Sequence, residues 1–248
     1  MSGYFSPDPP RVIAHRGLAL DAPENTALAF EHALALGITH LETDVRATSD
    51  GVPVLWHDET LERVGGVRAS IADVPLEDLR AIDLGRGQRI LTLAEALDTF
   101  PDAIFNIDVK SADATDASAA VIRAAGAGHR VLVTSFSQSR RTRTLRTLPG
   151  VATSASASRL AIAVLSARVG LTVLARRALR RVDAVQMPVR VLGVSTITPT
   201  MIRRLRTAVR EVHVWTINDE FLMRRLFEAG VDGIVTDRAD LARRILAS

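Results

Sequence analysis

A repeated alternation between short apolar runs and longer helical patterns is the feature that most constrains how this chain can fold. Eight runs rich in β-branched residues predict strands at residues 12–14, 40–45, 104–109, 131–135, 151–154, 184–187, 212–216 and 233–236. Strands separated by helices in this way form a parallel sheet with right-handed crossovers. Because 248 residues is a typical length for one undecorated barrel, we predict an α/β fold with a single (β/α)8 TIM barrel over residues 1–248.

One further apolar run breaks the alternation. Residues 52–56 follow the second predicted strand after only the turn at 48–51, which leaves no room for a crossover helix. The run is therefore predicted to return antiparallel to that strand. Counting back from the turn brings His57 beside Asp44. Residues 58–91, with a weak helical pattern at 76–82, are predicted to form a small insertion above the barrel mouth.

Composition excludes several classes of protein. The chain has no cysteine, so it has neither disulfides nor thiolate metal ligands. No apolar run is long enough to cross a bilayer, and the first ten residues lack a signal-peptide pattern, so we expect a cytoplasmic protein. Thirty of the 31 basic residues are arginine, but the formal net charge is only +3 and aromatic residues are scarce. Without a stacking platform or a basic arm, nucleic-acid binding is not expected.

Two carboxylates on the second predicted strand are candidate metal ligands. Glu42 and Asp44 are two residues apart, so both side chains point to one face of the strand, here the barrel interior near its mouth. Such a pair needs a cation, and oxygen ligands suit Mg²⁺, Ca²⁺ or Mn²⁺ better than zinc. The alternative is that buried arginines neutralise the pair.

The next predicted strand carries a third carboxylate and an unusual cation. The same alternation places Asn106, Asp108 and Lys110 on one face, adjacent to the second strand. Lys110 is the only lysine of the chain. A compact ammonium group at this position indicates a specific ionic role, although chance could also place it there.

Histidines mark the ends of two predicted strands. His15 and Arg16 end the first strand, and barrels carry their catalytic residues at the C-terminal ends of strands. His57 follows the antiparallel run and is a candidate acid or base. The alternative for His15 and Arg16, and for His57, is that each lies in an ordinary surface turn without a catalytic role. The remaining histidines are predicted to have packing or solvated roles: His32, His40, His129 and His213.

An apolar segment with interspersed arginines lies at residues 159–181. We interpret it as an ordinary barrel helix. One alternative is an interfacial segment that touches anionic lipid, and another is a subunit interface. The oligomeric state does not follow from the sequence.

Read together, several motifs resemble the glycerophosphodiester phosphodiesterase family in their order and spacing. The resemblance covers nearly the whole chain. It is carried by His15-Arg16-Gly17, Pro23-Glu24-Asn25-Thr26, Glu42-Thr43-Asp44-Val45, Ser49-Asp50-Gly51, His57-Asp58, residues 106–110, Ser135-Phe136, residues 214–218 and residues 230–237. The family has a TIM barrel, so the resemblance implies the same fold that the alternation of elements predicts.

The resemblance also implies the roles of individual residues. It implies a divalent metal ion held by Glu42, Asp44 and Asp108, phosphate contacts from Arg16 and Lys110, and acid/base work by His15 and His57. We expect a substrate pocket at Phe136, Gln186 and Trp215. The chain departs from the family at Asp108, where glutamate is usual, and at Leu91, where proline is usual.

The activity implied is metal-dependent hydrolysis of glycerophosphodiesters to glycerol 3-phosphate and an alcohol, with His15 as base and His57 as acid. The two roles could be reversed. The base could activate water directly, or first a glycerol hydroxyl to give a cyclic phosphate. Two rival functions remain: a lysophospholipase D with a groove near residues 160–174, and a catalytically silent barrel that binds phosphate or lipid.

Overall fold

The computed structural model describes residues 3–247, and eleven strands lie within that range. In chain order they are β1 Arg11–His15, β2 His40–Ala47, β3 Pro53–Leu55, β4 Ile104–Val109, β5 Val131–Thr134, β6 Ala152–Thr153, β7 Ala184–Met187, β8 Arg190–Val191, β9 Val194–Ser195, β10 Glu211–Val214 and β11 Gly233–Thr236. All are short. Eight of them pair in parallel, and the three peripheral strands β3, β8 and β9 pair antiparallel.

Eight of these strands form a barrel. The parallel order runs β6, β5, β4, β2, β1, β11, β10, β7. A parallel bridge between Ser154 and Ala184 joins β6 to β7 and brings the two ends of the sheet together. The predicted (β/α)8 TIM barrel is therefore confirmed. Because all eight strands point the same way, their C-terminal ends meet at one mouth.

The helices occupy the connections between the strands. Within residues 3–247 they are α1 Ala27–Ala35, α2 Glu62–Gly65, α3 Leu76–Arg80, α4 Leu93–Thr99, α5 Ala114–Ala124, α6 Gln138–Leu145, α7 Ala157–Arg168, α8 Thr172–Ala178, α9 Pro199–Arg206, α10 Glu220–Glu228 and α11 Ala239–Ala247. Local sequence explains several of their starts. Thr92 and Glu95 form a reciprocal capping box at α4, and Thr198 caps α9, whose first residue is Pro199.

The predicted antiparallel return is confirmed, but its predicted register is wrong. β3 pairs with β2 so that Val45 faces Leu55, and the backbone N–H of Trp56 donates to the carbonyl of Asp44. Trp56, not His57, therefore stands opposite Asp44. The connection between Ala47 and Pro53 has an odd number of residues, with Gly51 at φ +79°, and a left-handed residue of this kind shifts the pairing by one.

Residues 58–91 carry two short helices, α2 and α3, and a 3-10 turn at Ile71–Asp73. They pack on their own apolar cluster, beside the main core. The buried members of this cluster are Val54, Trp56, Leu61, Ile71, Leu79 and Ile90. The segment is thus held by a separate small core, which fixes α2 close to the mouth through Trp56 and Leu61.

A buried polar cluster fills the barrel interior below the mouth. Arg11 donates to Glu211 at 2.8 and 2.6 Å, His213 Nε2 lies 2.8 Å from the same carboxylate, and Arg11 Nη1 lies 3.0 Å from His40 Nε2. His40 and His213 are both buried, which confirms their predicted packing roles. The ion pair satisfies charges that burial would otherwise make very costly.

Candidate active site

A cavity of about 410 Å³ opens at the C-terminal ends of the barrel strands. It brings together every residue that the sequence indicated for a site. Those residues are His15, Arg16, Glu42, Asp44, His57, Asp108, Lys110, Phe136, Gln186 and Trp215. They come from seven different strands or strand ends, and in a TIM barrel that position is where active sites are built.

The turn after β1 aims His15 and Arg16 into the cavity. Arg16 adopts φ +56° and Gly17 φ +85°, both in the left-handed region. A Cβ on Gly17 would lie 2.7 Å from the backbone carbon of Ala29, so only glycine fits where the turn crosses α1. The tight crossing fixes the direction of the two preceding side chains.

His15 is oriented by Asp237 from the end of β11. His15 Nδ1 lies 2.6 Å from Asp237 Oδ1, and Asn218 Nδ2 donates to Asp237 Oδ2 at 2.7 Å. His15 Nε2 lies 3.9 Å from Glu42 Oε2. Burial alone would lower the pKa of His15, but the Asp237 hydrogen bond and the charge of Glu42 more than offset it, and the pKa is raised. An ionised Asp237 can only accept, so it holds the His15 proton on Nδ1 and leaves Nε2 free to act as a base.

Basic side chains neutralise Asp44 from two sides. Lys110 Nζ lies 2.9 Å from Asp44 Oδ1 and 2.6 Å from Asp108 Oδ2, and Arg16 Nε lies 2.9 Å from Asp44 Oδ2. Burial would raise the pKa of Asp44, but Lys110 and Arg16 more than offset this and hold it below its usual range. The alternative that arginines neutralise the pair therefore holds only in part, since Arg16 acts together with Lys110 and the two neutralise Asp44 but not Glu42.

Glu42 and Asp108 are short of positive charge. Burial, reinforced by the nearby Asp44, raises the pKa of Glu42 to about 7. Burial also raises the pKa of Asp108, although Lys110 partly opposes the shift. Three buried carboxylates thus face two cations, and one negative charge is left uncompensated.

The donor chemistry of these carboxylates fits a hard divalent cation. Asp44 Oδ2 and Asp108 Oδ1 are buried and have no hydrogen-bond partner among the described residues; the contact of Asp44 with Arg16 is a charge contact without hydrogen-bond geometry. Unpartnered carboxylate oxygens are the ligands that Mg²⁺, Mn²⁺ and Ca²⁺ prefer. Within residues 3–247 no group of three or more His, Asp or Glu stands in ligating geometry, and Lys110 bridges Asp44 and Asp108. Lys110 contacts Asp44 Oδ1 and Asp108 Oδ2, so the oxygens that remain without a hydrogen bond for a metal ion are Asp44 Oδ2 and Asp108 Oδ1.

His57 lies at the rim of the cavity, held by Asp58. Its Nδ1 lies 2.6 Å from Asp58 Oδ1, and its side chain is 36% exposed, against 19% for His15. Each of the two histidines thus pairs through Nδ1 with a carboxylate, one deep in the mouth and the other at the exit to solvent.

Arg63, on α2, connects the insertion to both sides of the site. It donates to Asp58 and makes two hydrogen bonds of 2.9 and 2.7 Å to Glu24, which also accepts from Arg16 at 2.8 Å. The chain of contacts runs from His57 to Arg16 through alternating charges. The insertion therefore positions charged groups of the site through Arg63.

One wall of the cavity is apolar. Phe136 and Trp215 pack edge to face with ring centroids 5.8 Å apart, and Lys110 Nζ lies 5.5 Å from the centroid of Phe136. Ala157 and Leu160, from α7, continue this wall. Gln186 lies 3.3 Å from His213 and joins the cavity to the buried polar cluster. The cavity thus has a charged half and an apolar half.

Sequence reasoning missed two residues that shape this site, Asp237 and Arg63. The contact of Asp237 with His15 spans 222 positions of the chain, and that of Arg63 with Glu24 spans 39. Two signals pointed to Asp237 without giving it a role: its place directly after the last predicted strand, where barrel strands carry functional residues, and its position in the family-like segment 230–237.

Comparison with known proteins agrees with this geometry. The family model described as "Glycerophosphoryl diester phosphodiesterase family" matches residues 15–241. The matched range includes both histidines, the carboxylates and Asp237.

Two curated relatives match almost end to end. A probable glycerophosphodiester phosphodiesterase 2 of Mycobacterium tuberculosis is 42% identical over 94% of this chain and 89% of its own length. A glycerophosphodiester phosphodiesterase of Caldanaerobacter subterraneus is 31% identical over 91% of this chain and 93% of its own length.

A solved structure shares the fold. A phosphodiesterase of Oleispira antarctica, in complex with the product sn-glycerol-3-phosphate, superposes with a TM-score of 0.80 at 25% identity, over 96% of this chain and 97% of that one.

Proposed function

Because this chain belongs to the glycerophosphoryl diester phosphodiesterase family, we propose that its cavity cleaves glycerophosphodiesters to glycerol 3-phosphate and an alcohol by metal-assisted acid/base catalysis. One observation carries the proposal. A single cavity contains two histidines that are each paired with a carboxylate, two cationic side chains that can contact a phosphate, and three buried carboxylates. The product named for the Oleispira antarctica structure supports the proposed direction of cleavage.

The charged half of the cavity suits the phosphate of a diester. Arg16 and Lys110 are both cationic, and their carboxylate partners raise the pKa of each although burial opposes it. A phosphodiester repels nucleophiles until its oxygens are neutralised, so these two groups bind and polarise it. Glu42, Asp44 and Asp108 would hold a divalent cation, which would supply further neutralisation of the phosphoryl oxygens.

His15 is proposed as the general base. Its proton is held on Nδ1 by Asp237, so Nε2 is free to take a proton from the nucleophile, whether water or the glycerol hydroxyl next to the phosphate. Its raised pKa makes it a stronger base than a free imidazole. Its position 3.9 Å from Glu42, in the charged half of the cavity, supports this role.

His57 is proposed as the general acid. It is half-buried at the rim, where the departing alcohol has a short path to solvent, and Asp58 fixes its ring through Nδ1. Its Nε2 can therefore deliver a proton to the leaving oxygen. Each acid or base of this kind typically contributes ~10²–10⁴-fold in rate.

A second candidate activity is a lysophospholipase D, in which the glycerol carries an acyl chain. The observation that favours it is the apolar cavity wall of Leu160, Phe136 and Trp215. Of the apolar residues at 160–174 where a groove was expected, Leu160 lines the cavity, whereas Leu165, Leu171 and Leu174 are exposed and do not line it. The apolar half of the cavity therefore suits a substrate with a short apolar group.

One assay separates these activities. The protein, supplied with Mg²⁺, Mn²⁺ or Ca²⁺, is incubated with glycerophosphocholine, glycerophosphoethanolamine, glycerophosphoglycerol and lysophosphatidylcholine, and the released phosphate ester is followed. We expect turnover of the water-soluble diesters. His15→Ala and His57→Ala serve as matched controls, and each should lower turnover by roughly 10²-fold or more while keeping the fold. Turnover of the lysolipid alone would favour the second candidate, and binding without turnover would contradict both.

A further inference from the structure

The small net charge of the chain conceals a large asymmetry. Residues 117–210 contain seventeen arginines and a single acidic residue, Asp183, whereas the rest of the chain contains fourteen basic and twenty-seven acidic residues. The basic stretch runs from within α5 to the start of β10 and so forms one side of the barrel. This side of the molecule carries a strong positive field.

Exposed apolar side chains concentrate in the same region. Within residues 3–247 thirteen large hydrophobic residues are exposed, and eight of them fall between positions 162 and 192. These eight are Ile162, Leu165, Val169, Leu171, Val173, Leu174, Val189 and Leu192. Isolated exposed hydrophobic residues are ordinary, but a cluster of this size marks an interaction surface.

The cluster has a defined structural basis. Ile162, Leu165 and Val169 are three and four positions apart and share the outer face of α7 and its C-terminal end. α7 packs against α8, which carries Val173 and Leu174. Four guanidinium groups of this region have neither a hydrogen-bond nor an ion-pair partner among the described residues: Arg168, Arg177, Arg180 and Arg181. We call the eight apolar residues and these four arginines the basic apolar surface.

A strained hairpin extends this surface toward the mouth. Leu192, at the tip of the β8–β9 hairpin, adopts φ +47° and is 73% exposed. A leucine in the left-handed region is strained, and its exposure to water adds a further cost, so folding alone does not explain its presence. Arg190 and Val191 of the hairpin line the cavity, as do Ala157 and Leu160 of α7. The hairpin and the start of α7 therefore lie at the mouth, whereas the surface follows α7 away from it.

We propose that the basic apolar surface docks on a lipid bilayer that contains anionic lipids. Aliphatic side chains next to unpaired arginines match the boundary between acyl chains and negatively charged head groups. A closed dimer through this surface would place arginines against arginines, and nucleic acid would match the arginines but not the eight aliphatic residues. Within residues 3–247 no helix is long and apolar enough to cross a membrane.

α7 begins at the mouth, where Ala157 and Leu160 line the cavity, and ends at Arg168 away from it, so the surface covers the side of the barrel. The proposal does not depend on which diester is cleaved. It concerns where the protein acts, and it predicts binding to vesicles that contain no substrate.

The test is flotation of the protein with vesicles of phosphatidylcholine, with and without phosphatidylglycerol, at low and high salt. We expect binding only with phosphatidylglycerol and weakening by salt. Val169→Ser combined with Val173→Ser should lower the partition coefficient about ten-fold or more, since both valines would leave the acyl boundary. Arg177→Gln combined with Arg181→Gln should lower it on the order of ten-fold.

Matched controls lie outside the surface. Phe221→Ser removes an equally exposed hydrophobic residue of α10, and Arg68→Gln combined with Arg224→Gln removes the same charge from residues that are paired with Glu62 and Glu220. Both controls should bind vesicles as the wild type does. None of these positions lies in the cavity, so hydrolysis of a water-soluble diester reports that each variant is folded.

Two results would overturn the proposal. The first is absence of vesicle binding, or equal loss of binding in the surface variants and the controls. The second is self-association: if light scattering shows that the wild type is an oligomer and the Val169→Ser, Val173→Ser variant is a monomer, the surface is a subunit interface.

Discussion

The contact between Asp237 and His15 permits a sharp prediction about the proposed base. In Asp237→Asn the new amide has one oxygen and one NH₂ group, and Asn218 Nδ2 donates to the position of Oδ2. The amide oxygen must therefore face Asn218, which turns the NH₂ group toward His15 Nδ1. His15 Nδ1 then has to accept a hydrogen bond, and the ring proton moves to Nε2. Glu42, 3.9 Å from Nε2, favours the same wrong tautomer.

The expected loss follows from what the substitution removes. A base whose Nε2 already carries a proton cannot take one from the nucleophile, so the whole contribution of general base catalysis is lost, about 10²–10⁴-fold in turnover. Burial lowers the pKa of His15, and the charge of Asp237 opposes this effect. Loss of that charge therefore also lowers the pKa of His15. Stability should change little, because Asp237 is exposed and the substitution is nearly isosteric.

A double variant provides the matched control. In Asn218→Asp combined with Asp237→Asn, the new carboxylate still accepts from Thr236 Oγ1 and from the backbone N–H of residue 237, as Asn218 Oδ1 does in the wild type. Its second oxygen accepts from the new amide, whose own oxygen is then turned toward His15. The proton returns to Nδ1, and we expect at least ten-fold recovery of turnover relative to the single variant.

The assay is steady-state hydrolysis of glycerophosphocholine at saturating metal, with the pH profile recorded for all three proteins. Two outcomes would refute the reasoning. One is near wild-type turnover in Asp237→Asn, which would mean that Asp237 does not set the tautomer of His15. The other is a double variant no more active than the single one, which would mean that the loss comes from charge or structure.

Three further predictions follow. Removal of divalent cations should abolish turnover, and Mg²⁺, Mn²⁺ or Ca²⁺ should restore it better than zinc does, because the carboxylates offer only oxygen ligands; undiminished turnover with metal content confirmed as nil contradicts this. Asp108→Asn should weaken metal affinity by at least ~10-fold in calorimetric titration, and Asp108→Glu less, whereas equal affinity would show that Asp108 takes no part in binding. Hydrogen bonds to His213 and Arg11 outweigh burial and lower the pKa of Glu211 from 4.5 to about 2. The stabilisation this gives, ~3 kcal/mol, is therefore present above pH 4.5 and lost as the pH falls toward 2, so urea unfolding of Glu211→Gln should depend less on pH over that range.

The sequence alone predicts most of the barrel because its strands are buried on both faces. Strands β4, β7 and β11 have the predicted bounds, since each is a short apolar run with clear flanking turns. The prediction for residues 212–216 runs two residues too far: β10 ends at Val214, and Trp215, whose backbone N–H still donates to Met187, and Thr216 line the cavity. The pattern of apolar residues does not indicate at which residue a strand ends and the residues that line the cavity begin. The bounds of the insertion and its place in a single domain stay predictions.

The sequence predicts the side-chain contacts of the site less well than it predicts the barrel. Alternation along β2 and β4 places Glu42, Asp44 and Asp108 at the mouth, since side-chain direction in a strand is fixed by parity. The register of His57 was wrong by one because it depends on the conformation of Gly51, which the residue type permits but does not impose. The partner of His15 could not be assigned, because its hydrogen bond with Asp237 joins distant loops that meet only in the closed barrel, whereas the partner of His57 is its neighbour Asp58. The role of each site residue stays a proposal.

The most direct test of the account is to identify which phosphorus–oxygen bond is broken. The wild-type protein with Mg²⁺ or Mn²⁺ is incubated with glycerophosphocholine, and the products are followed by phosphorus nuclear magnetic resonance. The account predicts one new signal, that of glycerol 3-phosphate, and its absence in His15→Ala and His57→Ala over the same period. Accumulation of phosphocholine, or no turnover of any glycerophosphodiester at saturating metal, would contradict it.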